Sequence, residues 1–184
     1  MAGRVCPVWI GWLLASPVRK LVQNPEKILR PYIKEGMTVI EPGSAMGFFS
    51  LPAAKMVGPA GKLVCIDLQE KMLASLRKRA TKAGLGDRIE CRACNETSLL
   101  IDDLAGSIDF AFAIAVVHEV PDQGRFFREI HQALKPGGLM LFAEPKGHVK
   151  PADFAQSLLA AENHGFTLIE QGVAFGGLHA LLKK

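Results

Sequence analysis

The sequence predicts an α/β protein with a doubly wound, mostly parallel sheet. Short apolar runs rich in branched residues alternate with stretches whose apolar residues recur at helical spacing. The run 108–115 is apolar apart from Asp109, which is typical of a central parallel strand covered on both faces. The last two strands, at 166–170 and 179–182, lie too close for a crossover helix, so we expect them to pair antiparallel.

Local signals place each element in the first half of the chain. Asn24 suits a helix N-cap and Pro25 the first helical position. The predicted elements are a helix at 26–33, a strand at 37–41, a helix at 48–57, a strand at 62–67, a helix at 69–83 and a strand at 88–94. The expected apolar face of the helix at 69–83 is Met72, Leu73, Leu76 and Ala80.

The second half continues the alternation. Pro121 and Asp122 open a helix whose apolar residues repeat at helical spacing, and the run 135–138 is a strong break after it. The predicted elements are a short helix at 97–104, the strand at 108–115, the helix after Asp122, a strand at 139–143, a helix at 151–163 and the two closing strands.

Composition indicates an ordinary globular domain. The 184 residues can bury a full core, and 49% of them are apolar and 22% charged. The net charge of +4 is mild, and its densest basic patch, 77–79, falls on a predicted helix. This pattern favours a solvated helix face over a nucleic-acid surface, so we predict no nucleic-acid partner.

The four cysteines do not form a disulfide framework in a chain of this length, and they suit a reducing, cytoplasmic location. Cys91 and Cys94 have the two-residue spacing of a metal or redox pair. No second pair accompanies them, and residues three apart on a strand point to opposite faces. We therefore interpret them as buried thiols.

Residues 1–23 are predicted to form an apolar N-terminal arm before a single domain at 24–184. The apolar stretch is too short to span a membrane and lacks a clear cleavage site, so we expect no stable membrane insertion. The arm could cover a ligand cleft, line a substrate pocket, touch a membrane surface or pack on the core. The residues best suited to a lid are Trp9, Ile10, Trp12 and Leu13.

The loop after the first strand carries the main functional signal. The strand ends on Glu41 and passes into a small-residue turn, 42–47, before a helix, and the second strand ends on Asp67. A tight loop lets backbone approach a nucleotide-like ligand, and a helix start offers N–H groups. Two adjacent strands that end on acids suit a ligand with a charged amine and a ribose.

Five features, in this order and spacing, resemble the class I S-adenosylmethionine-dependent methyltransferases from about residue 24 to 184. They are the acid and glycine motif at 41–47, Asp67, the segment 117–120, the turn at 134–138 and the segment 144–149. The likeness is greatest to the branch of the ubiquinone- and menaquinone-pathway C-methyltransferases. The resemblance implies a Rossmann-like seven-stranded sheet, mostly parallel with an antiparallel last strand. It also implies S-adenosylmethionine as cofactor and S-adenosylhomocysteine as product.

The same resemblance implies roles for cofactor-binding residues. Asp67 would accept hydrogen bonds from both ribose hydroxyls, with a helix cap as the alternative. Glu41 would orient the loop and contact the amino group through water, and Ala45 stands where a glycine is usual. Either Asn95 or Glu96 would face the adenine amino group. The predicted cofactor contacts are Glu41, Gly43, Ser44, Ala45, Gly47, Asp67, Leu68, Asn95, Glu96 and Ala115.

Candidate catalytic residues follow predicted strands four and five. Methyl transfer is an in-line displacement in which positioning does much of the work, and a base is needed only when the acceptor must lose a proton. His118 is the first choice as base or substrate contact, followed by His148, with Glu119 beside them. These side chains and Glu144 have the donor atoms of a divalent-metal site, although we predict no metal.

We therefore expect methyl transfer to a small molecule, with an apolar or aromatic acceptor favoured by the N-terminal arm. A homodimer is left open. Two alternatives stand beside this prediction. One is a protein that binds S-adenosylmethionine without catalysis, suggested by Ala45 and the lack of a substrate domain. The other is an RNA or protein methyltransferase, against which the lack of a basic appendage argues.

Overall fold

The fold is described from a computed structural model, which covers residues 23–174 and 176–184. The predicted lid residues Trp9, Ile10, Trp12 and Leu13, and Cys6, lie outside the described residues. The division into an arm at 1–23 and a domain at 24–184 therefore stays a prediction. The described residues form two compact units, 23–94 and 95–184.

The unit 23–94 contains three parallel strands and three helices. In chain order they are α1 (Pro25–Leu29), β1 (Thr38–Pro42), α2 (Ser50–Met56), β2 (Lys62–Asp67), α3 (Glu70–Lys82) and β3 (Ile89–Ala93). β2 pairs with β1 on one side and β3 on the other. The predicted cap of α1 is confirmed, because the side chain of Asn24 accepts hydrogen bonds from the N–H groups of Glu26 and Lys27.

The helix α3 shows why this unit packs as it does. Its buried residues are the four predicted, Met72, Leu73, Leu76 and Ala80. Their helical spacing places them on one face, and their burial removes apolar surface from water. The opposite face carries the exposed part of the basic patch, Arg77 and Lys78. Arg79 is only half-exposed and donates a hydrogen bond to the carbonyl oxygen of Met46.

The unit 95–184 contains four strands and two long helices. They are β4 (Ile108–Ile114), α4 (Gln123–Ala133), β5 (Leu134–Pro145), α5 (Pro151–Glu162), β6 (Thr167–Ala174) and β7 (Gly177–Lys183). β4 and β5 are parallel, and both are buried along most of their length. β7 is antiparallel to β5 and to β6, which confirms the predicted pairing of the closing strands.

The seven strands form one mixed sheet in the order β3-β2-β1-β4-β5-β7-β6. The predicted Rossmann-like, seven-stranded sheet with an antiparallel last strand is confirmed. Among the described residues, no helix is long and apolar enough to cross a membrane.

Two predictions differ from the structure in the second unit. The predicted helix at 97–104 is wrong, because only Asp102–Leu104 forms a short 3-10 turn. The side chain of Asn95 instead accepts from the N–H groups of Thr97 and Ser98 and holds residues 95–98 in a turn, and such local bonds compete with helix formation. The strand predicted at 139–143 begins earlier, at Leu134, because the break at 135–138 is accommodated as a register shift within β5.

Candidate functional site

The loop after β1 is fixed against the end of β2. The N–H groups of Gly43 and Ser44 both donate to the carbonyl oxygen of Ile66, at 2.8 and 3.1 Å. The N–H of Ala45 donates to Oδ2 of Asp67 at 2.8 Å. The amides expected to face a ligand are thus used to hold the loop in place. The ligand-facing groups left to residues 43–45 are then their carbonyl oxygens and side chains.

Ala45, which stands where a glycine is usual, adopts a left-handed conformation that glycine adopts most easily. Its φ is +45°, and the nearby Gly43 and Gly47 also have positive φ values, of +71° and +85°. This conformation costs an L-residue about 1–2 kcal/mol relative to the right-handed region. The hydrogen bond from its N–H to Asp67 helps to hold the residue there. The loop therefore holds an alanine in a conformation that favours glycine, at the expense of strain.

Gly47 and Ser44 differ in what surrounds them. A Cβ at Gly47 would collide with Leu76 of α3, so the glycine has a packing reason as well as its positive φ. Ser44 is buried, and its Oγ has no hydrogen-bond partner among the described residues. A buried hydroxyl is costly when it is unsatisfied, so this atom is suited to a polar group of a ligand.

Asp67 ends β2 and is half-buried. Oδ2 accepts from the N–H of Ala45 at 2.8 Å, and Oδ1 accepts from the N–H of Gln69 at 2.9 Å. Burial raises the pKa of the Asp67 carboxyl, and the two backbone bonds oppose that rise. The N-cap of α3 is Gln69, so Asp67 does not cap the helix. A carboxylate has about four acceptor positions, which leaves room for two further donors.

Glu41 connects the end of β1 to the start of α2 through a hydrogen bond. It is 4% exposed, and its Oε2 accepts a hydrogen bond from Ser50 Oγ at 2.5 Å, where α2 begins. The thiol of Cys65, its register partner on β2, lies 3.7 Å from the same oxygen. Burial raises the pKa of Glu41 to about 8, against the effect of these two hydrogen bonds. The carboxyl is therefore mostly protonated at neutral pH in the protein alone.

The predicted adenine-facing residues have unequal capacity to bind a ligand. Oδ1 of Asn95 accepts from the N–H groups of Thr97 and Ser98 and from the Thr97 hydroxyl, all within 2.9 Å. That oxygen is fully used within its own loop, which disfavours the predicted role of Asn95. Glu96 is exposed and Leu68 is half-buried.

Ala115 turns the chain after β4. Its φ is +62°, and its N–H donates to the carbonyl oxygen of Ala143 in β5 at 2.7 Å. The amide of Ala115 is therefore occupied, and only its carbonyl side remains for the predicted ligand contact. The turn leads into the 3-10 segment Val117–Glu119, which carries His118.

His118 is held at two points by Glu144, the residue before the end of β5. Its backbone N–H donates to Oε1 of Glu144 at 3.0 Å, and its ring Nδ1 lies 2.6 Å from Oε2. The Glu144 side chain is 2% exposed, whereas the His118 side chain is 26% exposed. The hydrogen bond to Glu144 raises the pKa of His118 against the opposing effect of partial burial.

The other candidate catalytic residues, Glu119 and His148, lie near His118. Glu119 follows it in the 3-10 segment and adds to the rise in the pKa of His118. His148 is exposed, and its ring lies edge-to-face with that of His118, with centroids 6.1 Å apart. Among residues 23–174 and 176–184, no three His, Cys, Asp or Glu side chains are arranged to hold a metal ion.

The methyltransferase-domain family model matches residues 33–171, which is more than half of the chain. The chain belongs to the class I S-adenosylmethionine-dependent methyltransferases. A solved S-adenosylmethionine-dependent methyltransferase from Aquifex aeolicus superposes with a TM-score of 0.84 at 26% identity. The alignment covers 97% of this chain and 98% of that one.

Two curated relatives match about three fifths of this chain. The ubiquinone/menaquinone biosynthesis C-methyltransferase UbiE of Hahella chejuensis is 30% identical over 112 residues, which are 61% of this chain and 44% of that protein. The arsenite methyltransferase of Halobacterium salinarum is 28% identical over 109 residues, 59% of this chain and 27% of that protein. This chain thus spans less than half the length of either relative.

The structure brings the predicted residues together in two groups. Glu41, Asp67 and the loop 43–47 form one group in the unit 23–94, and the orphaned Ser44 hydroxyl together with the spare acceptor positions of Asp67 fits a polar, ribose-bearing cofactor. His118, Glu119 and His148 form the other group in the unit 95–184. The sequence alone predicts no separate role for Glu144. Its position next to the end of a strand, like that of Glu41, was the available signal.

Proposed function

We propose that the protein transfers the methyl group of S-adenosylmethionine to a small-molecule acceptor. The observation that carries this proposal is the Asp67 carboxylate, oriented by the N–H groups of Ala45 and Gln69 beside the loop 43–47. Two fixed oxygens with unused acceptor positions suit a pair of adjacent ribose hydroxyls. Family membership supports the same cofactor, whose sulfonium supplies an activated methyl group.

Each residue near the loop has a part in holding the cofactor. Asp67 binds the ribose hydroxyls, and Ser44 Oγ hydrogen-bonds to the methionine end. Glu41 keeps the loop attached to α2 through Ser50 and, when ionised, complements the positive charge of the cofactor. Leu68 packs on the adenine face, and Glu96 rather than Asn95 accepts from the adenine amino group. The carbonyl oxygen of Ala115 accepts from the methionine amine.

The acceptor is proposed to be a small apolar or aromatic molecule in the cytoplasm, with no nucleic-acid partner. The printed activities of the curated relatives, C-methylation in ubiquinone and menaquinone biosynthesis and methylation of arsenite, are consistent with small acceptors. His118, with His148 and Glu119, contacts the acceptor, and no metal is required.

Calorimetric titration with S-adenosylmethionine and S-adenosylhomocysteine tests the cofactor. We expect micromolar binding of both, and at least a tenfold loss of affinity in Asp67→Ala because two charge-assisted hydrogen bonds are removed. Asp87→Asn, an exposed carboxylate in the same unit, is the matched control and should bind as the wild type does. Failure of the wild type to bind either ligand at high micromolar concentration would overturn the proposal.

Turnover then separates an enzyme from a binding protein. A panel of phenols and quinone precursors, with formation of S-adenosylhomocysteine as the readout, should include at least one acceptor whose methylation exceeds the blank. Cofactor binding with no turnover on any acceptor of the panel would favour the non-catalytic alternative.

A further inference from the structure

The contacts between His118 and Glu144 indicate a role for this pair beyond the substrate contact proposed for His118. Both donors that reach Glu144 come from the same residue, since the backbone N–H of His118 meets Oε1 and the ring Nδ1 meets Oε2. A buried carboxylate is stable only when its oxygens are hydrogen-bonded. Glu144 therefore fixes the position of His118 and also the rotation of its ring.

The contact with a carboxylate assigns the proton on the neutral ring. A carboxylate oxygen can only accept, so the 2.6 Å contact requires the proton to be on Nδ1 of His118. The other nitrogen, Nε2, is then an acceptor that faces away from Glu144. A neutral imidazole held in one tautomer by a buried acid is the arrangement of a general base.

We propose that Glu144 is a positioning residue that holds His118 as the Nδ1–H tautomer, so that Nε2 takes a proton from a protic methyl acceptor. The acceptor class is then a hydroxyl or an acidic carbon, and not a tertiary amine or a thioether. This inference rests on the proposed methyl transfer.

The step balances without a further reactant. The acceptor's lone pair or carbanion forms a bond to the methyl carbon while the carbon–sulfur bond breaks and its electron pair stays on sulfur. The acceptor's proton moves to Nε2 of His118, and the imidazolium formed is stabilised by Glu144. His118 then returns its proton to solvent, which its partly exposed side chain can reach.

The charged surroundings of His118 favour this role. Glu144 from β5 and Glu119 from its own 3-10 segment both raise the pKa of His118, and the His148 ring lies beside it. The base is therefore stronger than an isolated imidazole. Replacing the carboxylate should weaken the base and move the ascending limb of a pH–rate profile to lower pH.

The test uses the full chain and needs no substrate for its first readout. Long-range proton–nitrogen NMR spectra report the tautomer and pKa of each of the five histidines, with His118→Gln assigning the signal. We expect neutral His118 to carry its proton on Nδ1. In Glu144→Gln, the His118 pKa should fall, and the amide should allow the Nε2–H tautomer. A wild-type Nε2–H tautomer, or an unchanged pKa in Glu144→Gln, would overturn the proposal.

A second histidine–glutamate pair in the same unit supplies the matched control. His179 Nε2 lies 3.4 Å from Oε1 of Glu170, whose side chain is 60% exposed. Glu170→Gln should leave the His118 tautomer and pKa unchanged. A shift of the His118 signal equal to that in Glu144→Gln would point to a general change in charge and count against the proposal.

Turnover with the same acceptor panel, extended to tertiary amines and thioethers, gives the second readout. We expect only protic acceptors to be methylated, with a loss of roughly 10²-fold in Glu144→Gln and an ascending limb moved to lower pH. Methylation of tertiary amines at equal rates in wild type and His118→Gln would overturn the proposed acceptor class. A chain that shows the expected tautomer but binds no S-adenosylmethionine would overturn the proposed function instead.

Discussion

Two buried glutamates lie at the ends of strands, and they are used differently. Glu41 in β1 is hydrogen-bonded to neutral groups, the Ser50 hydroxyl and the Cys65 thiol, and burial, with a smaller contribution from Asp67, raises its pKa to about 8. Glu144 in β5 meets a titratable ring and raises the pKa of His118. Burial alone therefore does not set the role of an acid. The partner decides whether the acid itself changes charge or controls the charge of another group.

The largest expected effect is on the pH dependence of stability. The pKa of Glu41 is raised from 4.5 to about 8 by folding, so the folded state binds more protons between these values. Stability should therefore fall as pH rises, by on the order of 4 kcal/mol between pH 5 and pH 9. Glu41→Gln keeps a neutral hydrogen-bond acceptor for Ser50 and should remove this loss. Urea denaturation at several pH values measures the free energy of unfolding of both proteins.

Glu144→Gln should give a different dependence of stability on pH in the same experiment. The pKa of His118 is raised in the folded state, so its contribution to stability is present below about pH 6.5 and is lost as pH rises through the higher folded value. Glu144→Gln should therefore remove this stabilisation of the fold at and below about pH 6.5, whereas Glu41→Gln should relieve a loss of stability that grows from about pH 5 upward. Identical pH profiles for the two variants would contradict the assigned difference between the glutamates.

The next effect concerns cofactor binding. If the ionised form of Glu41 complements the cationic cofactor, binding must release the proton that Glu41 holds below pH 8. Affinity for S-adenosylmethionine should then rise by up to about tenfold per pH unit between pH 6 and pH 8. Calorimetry in buffers of different ionisation enthalpy measures the released proton directly.

Two controls isolate Glu41 in that measurement. Adenosine lacks both the ammonium and the sulfonium group, so its weaker binding should show no proton release. Glu41→Gln has no proton to lose and should bind S-adenosylmethionine with an almost constant affinity over the same pH range. Equal proton release by wild type and Glu41→Gln would assign the linkage to another group.

The two regions also differ in how much the sequence predicted. The loop 41–47 and Asp67 could be found because a strand, an acid and small residues occur in adjacent order, and the structure places them together. The bond between His118 and Glu144 could not be found in this way. It joins residues 26 positions apart, and its existence depends on the register of β4 and β5. Periodicity predicts which residues are buried but not which of them meet.

Local polar bonds explain why the predicted helix at 97–104 does not form. The sequence 97–104 suits a helix, yet the Asn95 side chain captures the amides of Thr97 and Ser98 and holds a turn. The same three bonds to Oδ1 make Asn95 a poor adenine contact, a conclusion that residue type alone could not give. Gly47 stays a predicted cofactor contact, and the space where a side chain would start is filled by Leu76 of α3.

The smallest expected effect compares the left-handed alanines of the two regions. Ala45 and Ala115 have φ values of +45° and +62°. Glycine relieves the strain at either position but gains freedom in the unfolded chain, so Ala45→Gly and Ala115→Gly should each stabilise the fold by about 0.5–1 kcal/mol. Ala155→Gly, at an exposed position within α5, should destabilise it by about 1 kcal/mol.

The sign of each change in stability shows whether backbone strain or methyl packing dominates at that alanine. Ala45 and Ala115 each donate their N–H to a fixed acceptor, Asp67 Oδ2 and the Ala143 carbonyl oxygen. A glycine keeps that donor, so relief of strain should be seen in thermal unfolding without loss of the turn. If Ala45→Gly destabilises the protein while Ala115→Gly stabilises it, the methyl group of Ala45 contributes packing that outweighs its strain. The alanine in the cofactor loop would then be a stabilising replacement for the usual glycine and not a tolerated defect.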